Sequence, residues 1–445
     1  MGNSSLQGGA PQVRLFANDR VWIEDAAVQQ LHTTARLPHM RAAVGLPDLH
    51  PGRGYPVGAA FFTVGHLYPA LVGGDIGCGM ALWRTGLRTH KVSPSGLEKQ
   101  LGSIDGPLPD ALMDDALAQL RALPTAPLPA TEAMLAESLG TIGGGNHFAE
   151  LQVVDAVYDA SVALDAKHVH LLVHSGSRGL GGAILREHVE RWGHAGLAAG
   201  SDGARVYLAA HDAALAYAAC NRHWIAQRML RALRTGGQCL LDVSHNHVLP
   251  AVARGEAGYL HRKGATPAGQ GLVVIPGSRG DYSYLVAPLA DCHDALDSLA
   301  HGAGRKWARA DCMGRLAPRF PSEGLRRTRF GSTVVCADKA LLYEEAPQAY
   351  KDVDAVVATL AEAGLARLVA RLREEAADLE ERLRQEFASD RGALEEQNSA
   401  LGGAVLALRE RLRQAESASA KLQRQLDHTQ QRADALAASL QAERQ

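Results

Sequence analysis

The sequence predicts an α+β chain: a single large domain of mixed sheets and helices over 1–370, followed by a helical coiled-coil tail over 371–445. Three observations predict it. Composition changes near residue 370, with nearly all Gly, Pro and His before it and mostly Leu, Ala, Glu, Arg and Gln after it. Short apolar runs in the first part end in glycine or histidine. The tail repeats apolar residues every seven positions.

The runs "ALVGGD", "HLLVHSGSRG", "CLLDVSHNH" and "LVVIPGSRG" read as buried strands that deliver polar residues at their ends. Helical stretches lie between them, such as "GARVYLAAHDAALAYAACNRHWIAQRMLRAL" over 203–233. Strands and helices mix without a clean alternating unit, which favours α+β. In the tail one set of positions reads Leu394, Leu401, Leu408, Ala415, Leu422, Thr429, Leu436. The interleaved set reads Asn398, Val405, Leu412, Ser419, Leu426, Ala433, Leu440. That is a heptad seam with small polar faults, suited to self-association or to packing on a partner. Leu372, Ala376, Leu379 and Leu383 form an earlier piece out of step with it. A solvated single helix is the alternative.

The chain has 445 residues and a formal charge of −2, so two units are expected and no global basic field exists. A polyanionic partner needs a local basic groove. The opening "MGNSSLQGGAPQVRLF" lacks the charged-then-apolar order of a signal peptide. No run approaches ~20 apolar residues, so no membrane span is expected. Six cysteines, sparse and unpatterned, fit a reducing cytosol and a cytoplasmic protein.

In "LVGGDIGCGM" Asp75 and Cys78 stand three apart among four glycines. Glycine lets main-chain N–H groups approach an ion or a phosphate. Alone, this pair also fits a buried cysteine beside a turn aspartate. Other strand ends add Asn146 and His147 in "GTIGGGNHF", His174 in "LLVHSGSRG" and His245 in "LLDVSHNHV". Imidazole, thiolate and carboxylate together can hold Mn²⁺, Fe²⁺ or Zn²⁺. "HRKGATPAGQG", "IPGSRGDYSYLV" and "SLAHGAGRKWAR" join glycines to a base or hydroxyl, as phosphate-handling loops do. None is a Walker A loop, and no H-E-x-x-H occurs. His301, in "HGAGR", fits a nucleophilic histidine or an ordinary loop histidine.

Taken together, "DLHPGRGYPVGAAF", "GGDIGCGM", "GTIGGGNHFAE", "HSGSRGLGG", "DVSHNHV", "HRKGAT", "IPGSRGDYSY", "HGAGR" and "EAPQAYKDVD" resemble, in order, the signatures of RtcB-type RNA ligases. The resemblance spans roughly residues 41 to 365. It implies an enzyme that uses GTP and Mn²⁺ to join RNA with a 3′-phosphate or 2′,3′-cyclic phosphate to RNA with a 5′-hydroxyl. It implies two manganese ions on Asp75, Cys78, His147, His174 and His245, with the cysteine between them. His301 matches the histidine that takes GMP. Asn146, His147, Phe148, Ala149 and Glu150 match the guanylate-contacting loop, with Glu150 facing the guanine. His245, Asn246, Pro276, Gly277, Ser278, Arg279, Ser283, Gly302, Ala303 and Gly304 match further nucleotide contacts. The wording also resembles a branch tied to RNA repair rather than tRNA splicing. Arg53, Arg178, Arg279 and Arg305 are the basic residues expected to grip RNA.

Two departures stand out. The family's closing Lys-Gly, whose lysine reaches the guanine nucleotide, is absent, and the heptad tail is additional. Two other functions fit the same residues. One is a metal-dependent phosphodiesterase or phosphatase on RNA ends that never guanylylates His301. The other is a coiled-coil scaffold with an inactive ligase core.

Overall fold

The computed structural model describes residues 10–374, apart from 102–103, 105, 124–125, 127 and 163, and then residues 403 and 408–436. The chain divides into two compact units, 1–377 and 378–445.

The first unit is α+β. Its larger sheet has seven strands in the order Val273–Pro276, Ser283–Pro288, Ala366–Glu374, Phe148–Val157, His168–Ser175, Gly79–Arg88 and Gly237–Ser244. Every neighbouring pair in it is antiparallel. The central strand "HVHLLVHS" is buried on both faces, with Val169, Leu171, Leu172 and Val173 fully buried. One face packs on the helix Asp202–Ala232 through Ile225, Ala226, Met229 and Leu230. That helix starts where the Ser201 side chain accepts from Ala204 N, which satisfies one of its free amides.

A second sheet has five strands in the order Gln12–Leu15, Met40–His50, Val57–Thr63, Glu256–Lys263 and Asn246–Ala253. Only the Gln12–Leu15 pairing with Met40–His50 is parallel. Two small two-stranded sheets complete the unit, one of them pairing Ala265–Pro267 with Ser298–Ala300.

Two readings of the sequence are corrected here. "ALVGGD" forms a short helix, Pro69–Val72, rather than a strand. A four-residue apolar run suits either state, and Pro69 occupies the first helical position, where its missing N–H costs nothing. Leu372 belongs to no helical heptad. It lies fully buried in the strand Ala366–Glu374, so the boundary expected at 370 falls inside a central strand.

In the second unit residues 408–436 are helical. Leu408, Leu412, Leu422, Leu426 and Leu436 are between 61% and 66% exposed. Leu394, Asn398, Leu401, Val405 and Leu440, with Ala376, Leu379 and Leu383, lie outside the described residues. Among the described residues no helix is long and apolar enough to cross a membrane.

Candidate active site

Four neighbouring strands of the seven-stranded sheet deliver polar residues to one end. Cys78 immediately precedes the strand Gly79–Arg88, and His147 precedes Phe148–Val157. His174 pairs with both Met80 and Phe148, and His245 follows Gly237–Ser244. Asp75 lies in the turn before Cys78. Glycine is needed here at two points, one in this turn and one in the facing turn after His168–Ser175. Gly77 has φ +75, and a Cβ on Gly176 would meet Asp75 Oδ1 at 2.5 Å.

The buried helix Asp202–Ala232 fixes these turns from below. Arg222, 1% exposed, donates to Gly77 O at 2.6 Å and to Ser175 O at 3.0 Å, and its charge is met by Asp242 at 2.6 Å. Asn221 accepts from Gly140 N at 2.7 Å and donates to Ser175 Oγ at 3.1 Å. Neither residue is visible as functional in the sequence, since each reads as part of an ordinary amphipathic helix.

The donors converge. Cys78 Sγ lies 3.1 Å from His174 Nε2 and 3.4 Å from His147 Nε2. His174 Nε2 lies 3.4 Å from His245 Nε2, and His147 Nε2 lies 3.3 Å from Asp75 Oδ2. The ligand atoms of Cys78, His147 and His174 all fall within 4.8 Å of one another. Burial and the surrounding histidines hold His174 and His245 well below the usual imidazole range. Burial, then the Asp75 charge, pushes the Cys78 thiol well up. Burial would raise Asp75 too, but hydrogen bonding and charge from His147 outweigh it and leave Asp75 at about 2.

This donor set fits a divalent cation. Neutral imidazoles already offer lone pairs, and a buried thiol ionises readily only beside a cation. His174 Nδ1 donates to Asn146 O at 2.8 Å, which turns the Nε2 lone pair inward. His245 Nδ1 is buried without a partner. His147 stands differently. Arg178 Nη1, which only donates, lies 3.1 Å from its Nδ1, so Nε2 carries the proton in this geometry. An ion on that Nε2 would leave Nδ1 protonated, and the guanidinium would then have to release it.

His301, 8% exposed, packs its ring 4.8 Å from that of His245. Its Nδ1 donates to Asp48 Oδ2 at 2.6 Å, and its backbone N donates to the same oxygen at 3.1 Å. Asp48 is fully buried. Lys351 Nζ donates to Pro47 O at 3.1 Å and Leu49 O at 2.6 Å, and its backbone N donates to Gly304 O at 2.9 Å. It therefore fastens the Asp48 strand to the glycine turn after His301. Burial brings Lys351 down to about 8, against the pull of Asp48. Sequence reasoning assigned no role to Asp48 or Lys351. A carboxylate inside the apolar run "AAVGLPDL" is the available signal, because a buried charge demands a partner.

One cavity of about 2330 Å³ gathers these groups. It is lined by Asp75, Cys78, His147, His174, His245 and His301, and also by Asn146, Phe148, Ala149, Glu150, Asn246, Pro276, Gly277, Ser278, Arg279, Ser283, Gly302, Ala303 and Gly304. Asn246 Oδ1 accepts from Gly264 N at 2.6 Å and holds that turn. The four arginines differ. Arg53 is exposed on the cavity wall. Arg178 is occupied by His147 and Thr141. Arg279 donates to Leu342 O at 2.9 Å. Arg305 is bound to Glu345 at 3.1 Å and lies over the Tyr350 ring. His261 is fully buried, with Tyr68 N donating to its Nε2 at 2.9 Å, and it lies away from the cavity.

The family model described as tRNA-splicing ligase RtcB matches residues 30–125 and 118–377. The chain is 53% identical over 362 residues to RNA-splicing ligase RtcB2 of Escherichia coli ATCC 25922, covering 80% of this chain and 93% of that protein. It is 31% identical to tRNA-splicing ligase RtcB of Archaeoglobus fulgidus, covering 79% of this chain and 90% of that protein. It is 30% identical to RNA-splicing ligase RtcB of Escherichia coli K12, covering 79% and 93%. The heptad tail lies beyond the family match. With the strand-end donors and the buried histidine gathered in one cavity, these matches settle the assignment: the chain belongs to the RtcB family of RNA ligases.

Proposed function

We propose that this RNA ligase joins 3′-phosphate or 2′,3′-cyclic phosphate ends to 5′-hydroxyl ends using GTP and Mn²⁺, with His301 as the residue that becomes guanylylated. The observation that carries the reading is the Asp48–His301 pair beside the donor cluster. Asp48 accepts the Nδ1–H hydrogen bond, which holds the proton on Nδ1 and leaves Nε2 with its lone pair. That nitrogen attacks the α-phosphorus of GTP, forms a P–N bond and expels pyrophosphate. An RNA 3′-phosphate oxygen then displaces the imidazole and takes the GMP. The 5′-hydroxyl attacks that activated phosphate, and GMP leaves. Cyclic ends are first opened by water.

Asp75, Cys78, His147, His174 and His245 would hold two manganese ions, with Cys78 between them. Bound there, the ions would neutralise phosphate charge and align the in-line displacement. The chain's own part is to fix the donors through Arg222, Asn221 and Asn146. The matched nucleotide contacts, Asn146 to Glu150, Asn246, Pro276 to Arg279, Ser283 and Gly302 to Gly304, would cradle GTP. Arg53 is the arginine best placed for RNA phosphates, and salt should weaken RNA binding. The exposed leucines of 408–436 would pair with a second copy of the chain. Six cysteines without a disulfide suit a cytoplasmic site of action.

The experiment is incubation with labelled GTP and Mn²⁺, followed by a denaturing gel. A protein-bound label supports the reading. A phosphodiesterase using the same donors would form none.

A further inference from the structure

His50 lines the same cavity as His301, and one residue, Asp48, orients both rings. The Asp48 carboxylate accepts from His301 Nδ1. The Asp48 carbonyl lies 2.8 Å from His50 Nδ1. A carbonyl can only accept, so Nδ1 carries the His50 proton and Nε2 keeps its lone pair. Among the described residues that Nε2 has no hydrogen-bond partner. With Nδ1 spent on the carbonyl, Nε2 is the ring nitrogen left for the cavity.

The ring is fixed from both sides. His50 ends the strand Met40–His50 and pairs with Val57. Lys351 grips the carbonyls of Pro47 and Leu49, one before Asp48 and one after it. Beyond the ring, Gln30 donates to Gly52 O at 2.9 Å and accepts from Gly52 N at 3.0 Å. Arg53, assigned above to RNA phosphates, comes next. His50 therefore stands between the residue that orients the guanylylated ring and the arginine of the RNA path. The other cavity imidazoles differ. His147, His174 and His245 belong to the donor cluster, and His301 carries the guanylate. His194 also lines the cavity, but it is exposed, and among the described residues no hydrogen bond sets its tautomer. Burial, opposed by Asp48 and helped by His301 and Lys351, brings His50 to about 4, so the ring is neutral near pH 7. Phosphate charge entering with RNA would draw that value back up, towards the range where a base works well.

We infer that His50 is a further catalytic residue, the general base that takes the proton of the RNA 5′-hydroxyl in the joining step. The inference rests on the ligase reading above. The 5′-O–H bond breaks, and its proton goes to His50 Nε2. The freed electron pair forms the new P–O bond to the activated 3′-phosphate. The P–O bond to GMP breaks, and GMP leaves with that pair. His50 then returns the proton to the departing GMP phosphate, so the ring is neutral again for the next turnover.

The test uses the full-length protein and His50→Asn, whose amide keeps a donor for the Asp48 carbonyl but offers no base. Single-turnover joining is measured with Mn²⁺ and saturating RNA whose 3′-phosphate already carries GMP. Joining should slow by about 100-fold or more, the usual worth of a general base. Adduct formation from GTP, which needs no 5′-hydroxyl, should slow far less. The groups facing His50 are Asp48, His301 and Lys351. Both proteins share them, so the ratio of the two joining rates reports the base. That ratio should narrow as pH rises, because solvent hydroxide replaces the missing base. Should His50→Asn fail to fold, His50→Gln carries the same comparison. An unchanged joining rate, or a loss only of RNA affinity, overturns the inference. So does an equal slowing of both reactions at a constant ratio across pH, which would make His50 a positioning residue for His301. An unaltered protein that joins no pre-activated RNA would overturn the ligase reading itself, and this inference with it.

Discussion

Asp48 Oδ2 lies 2.6 Å from His301 Nδ1 and 3.1 Å from the His301 backbone N. One buried oxygen thus fixes both the tautomer and the position of the ring. Asp48→Asn should keep ion binding but slow guanylylation by about 10–100-fold, the usual effect of losing an orienting partner. Single-turnover adduct formation measures it. An unchanged rate would mean that packing alone orients the ring.

On the proposed two-ion reading, Cys78→Ala should lower ion affinity by about 100-fold or more, because a donor serving two ions would outweigh an outer partner. Metal content after dialysis, with RNA joining alongside, provides the check. Two tightly held ions with undiminished joining would remove the bridging role of the thiolate.

Acid should destabilise the fold before the carboxylates titrate. His261 is fully buried, and burial brings it from 6.5 to about 4. Below 6.5 the unfolded chain binds a proton that the folded chain refuses, so stability is lost as pH falls from 6.5 towards 4. The single group is worth up to about 3 kcal/mol. His261→Gln should flatten that part of the profile in denaturant titrations at neutral and mildly acidic pH. An identical slope would show that the His261 ring does protonate inside the fold.

A chain ending after Ala377 should retain ligation and lose mass in solution, since the exposed leucines of 408–436 go with the tail. A chain ending after Ala370 should be inactive, because it lacks Leu372 and Glu374 of a central strand. Light scattering and joining assays separate the two. A mass unchanged by removal of the tail would contradict pairing through its seam.

Much of the candidate site was legible because its information is local. Asp75 and Cys78 sit in a glycine-rich turn before one strand, His147 precedes another, His174 lies near the end of a third and His245 follows a fourth, and the sheet places those strand ends side by side. What escaped was non-local. Asp48 meets a histidine 253 residues away. Arg222 and Asn221 sit in mid-helix and act on backbone far from them in sequence. Arg178 and Arg305 looked free for RNA, but His147 and Glu345 occupy them. Glu374 lay beyond the boundary drawn at 370, where a change of composition hid the end of a strand.

The most direct test of the account compares His301→Ala with the unaltered protein in two reactions. One is adduct formation from labelled GTP and Mn²⁺, and the other is joining of RNA whose 3′-phosphate already carries GMP. The account predicts that the variant keeps its ions, forms no adduct and still joins the pre-activated RNA, since that step needs alignment but no nucleophilic histidine. A variant that still forms the adduct would place the nucleophile elsewhere. A folded, ion-loaded variant that fails on pre-activated RNA would contradict the separation of His301 from the final step.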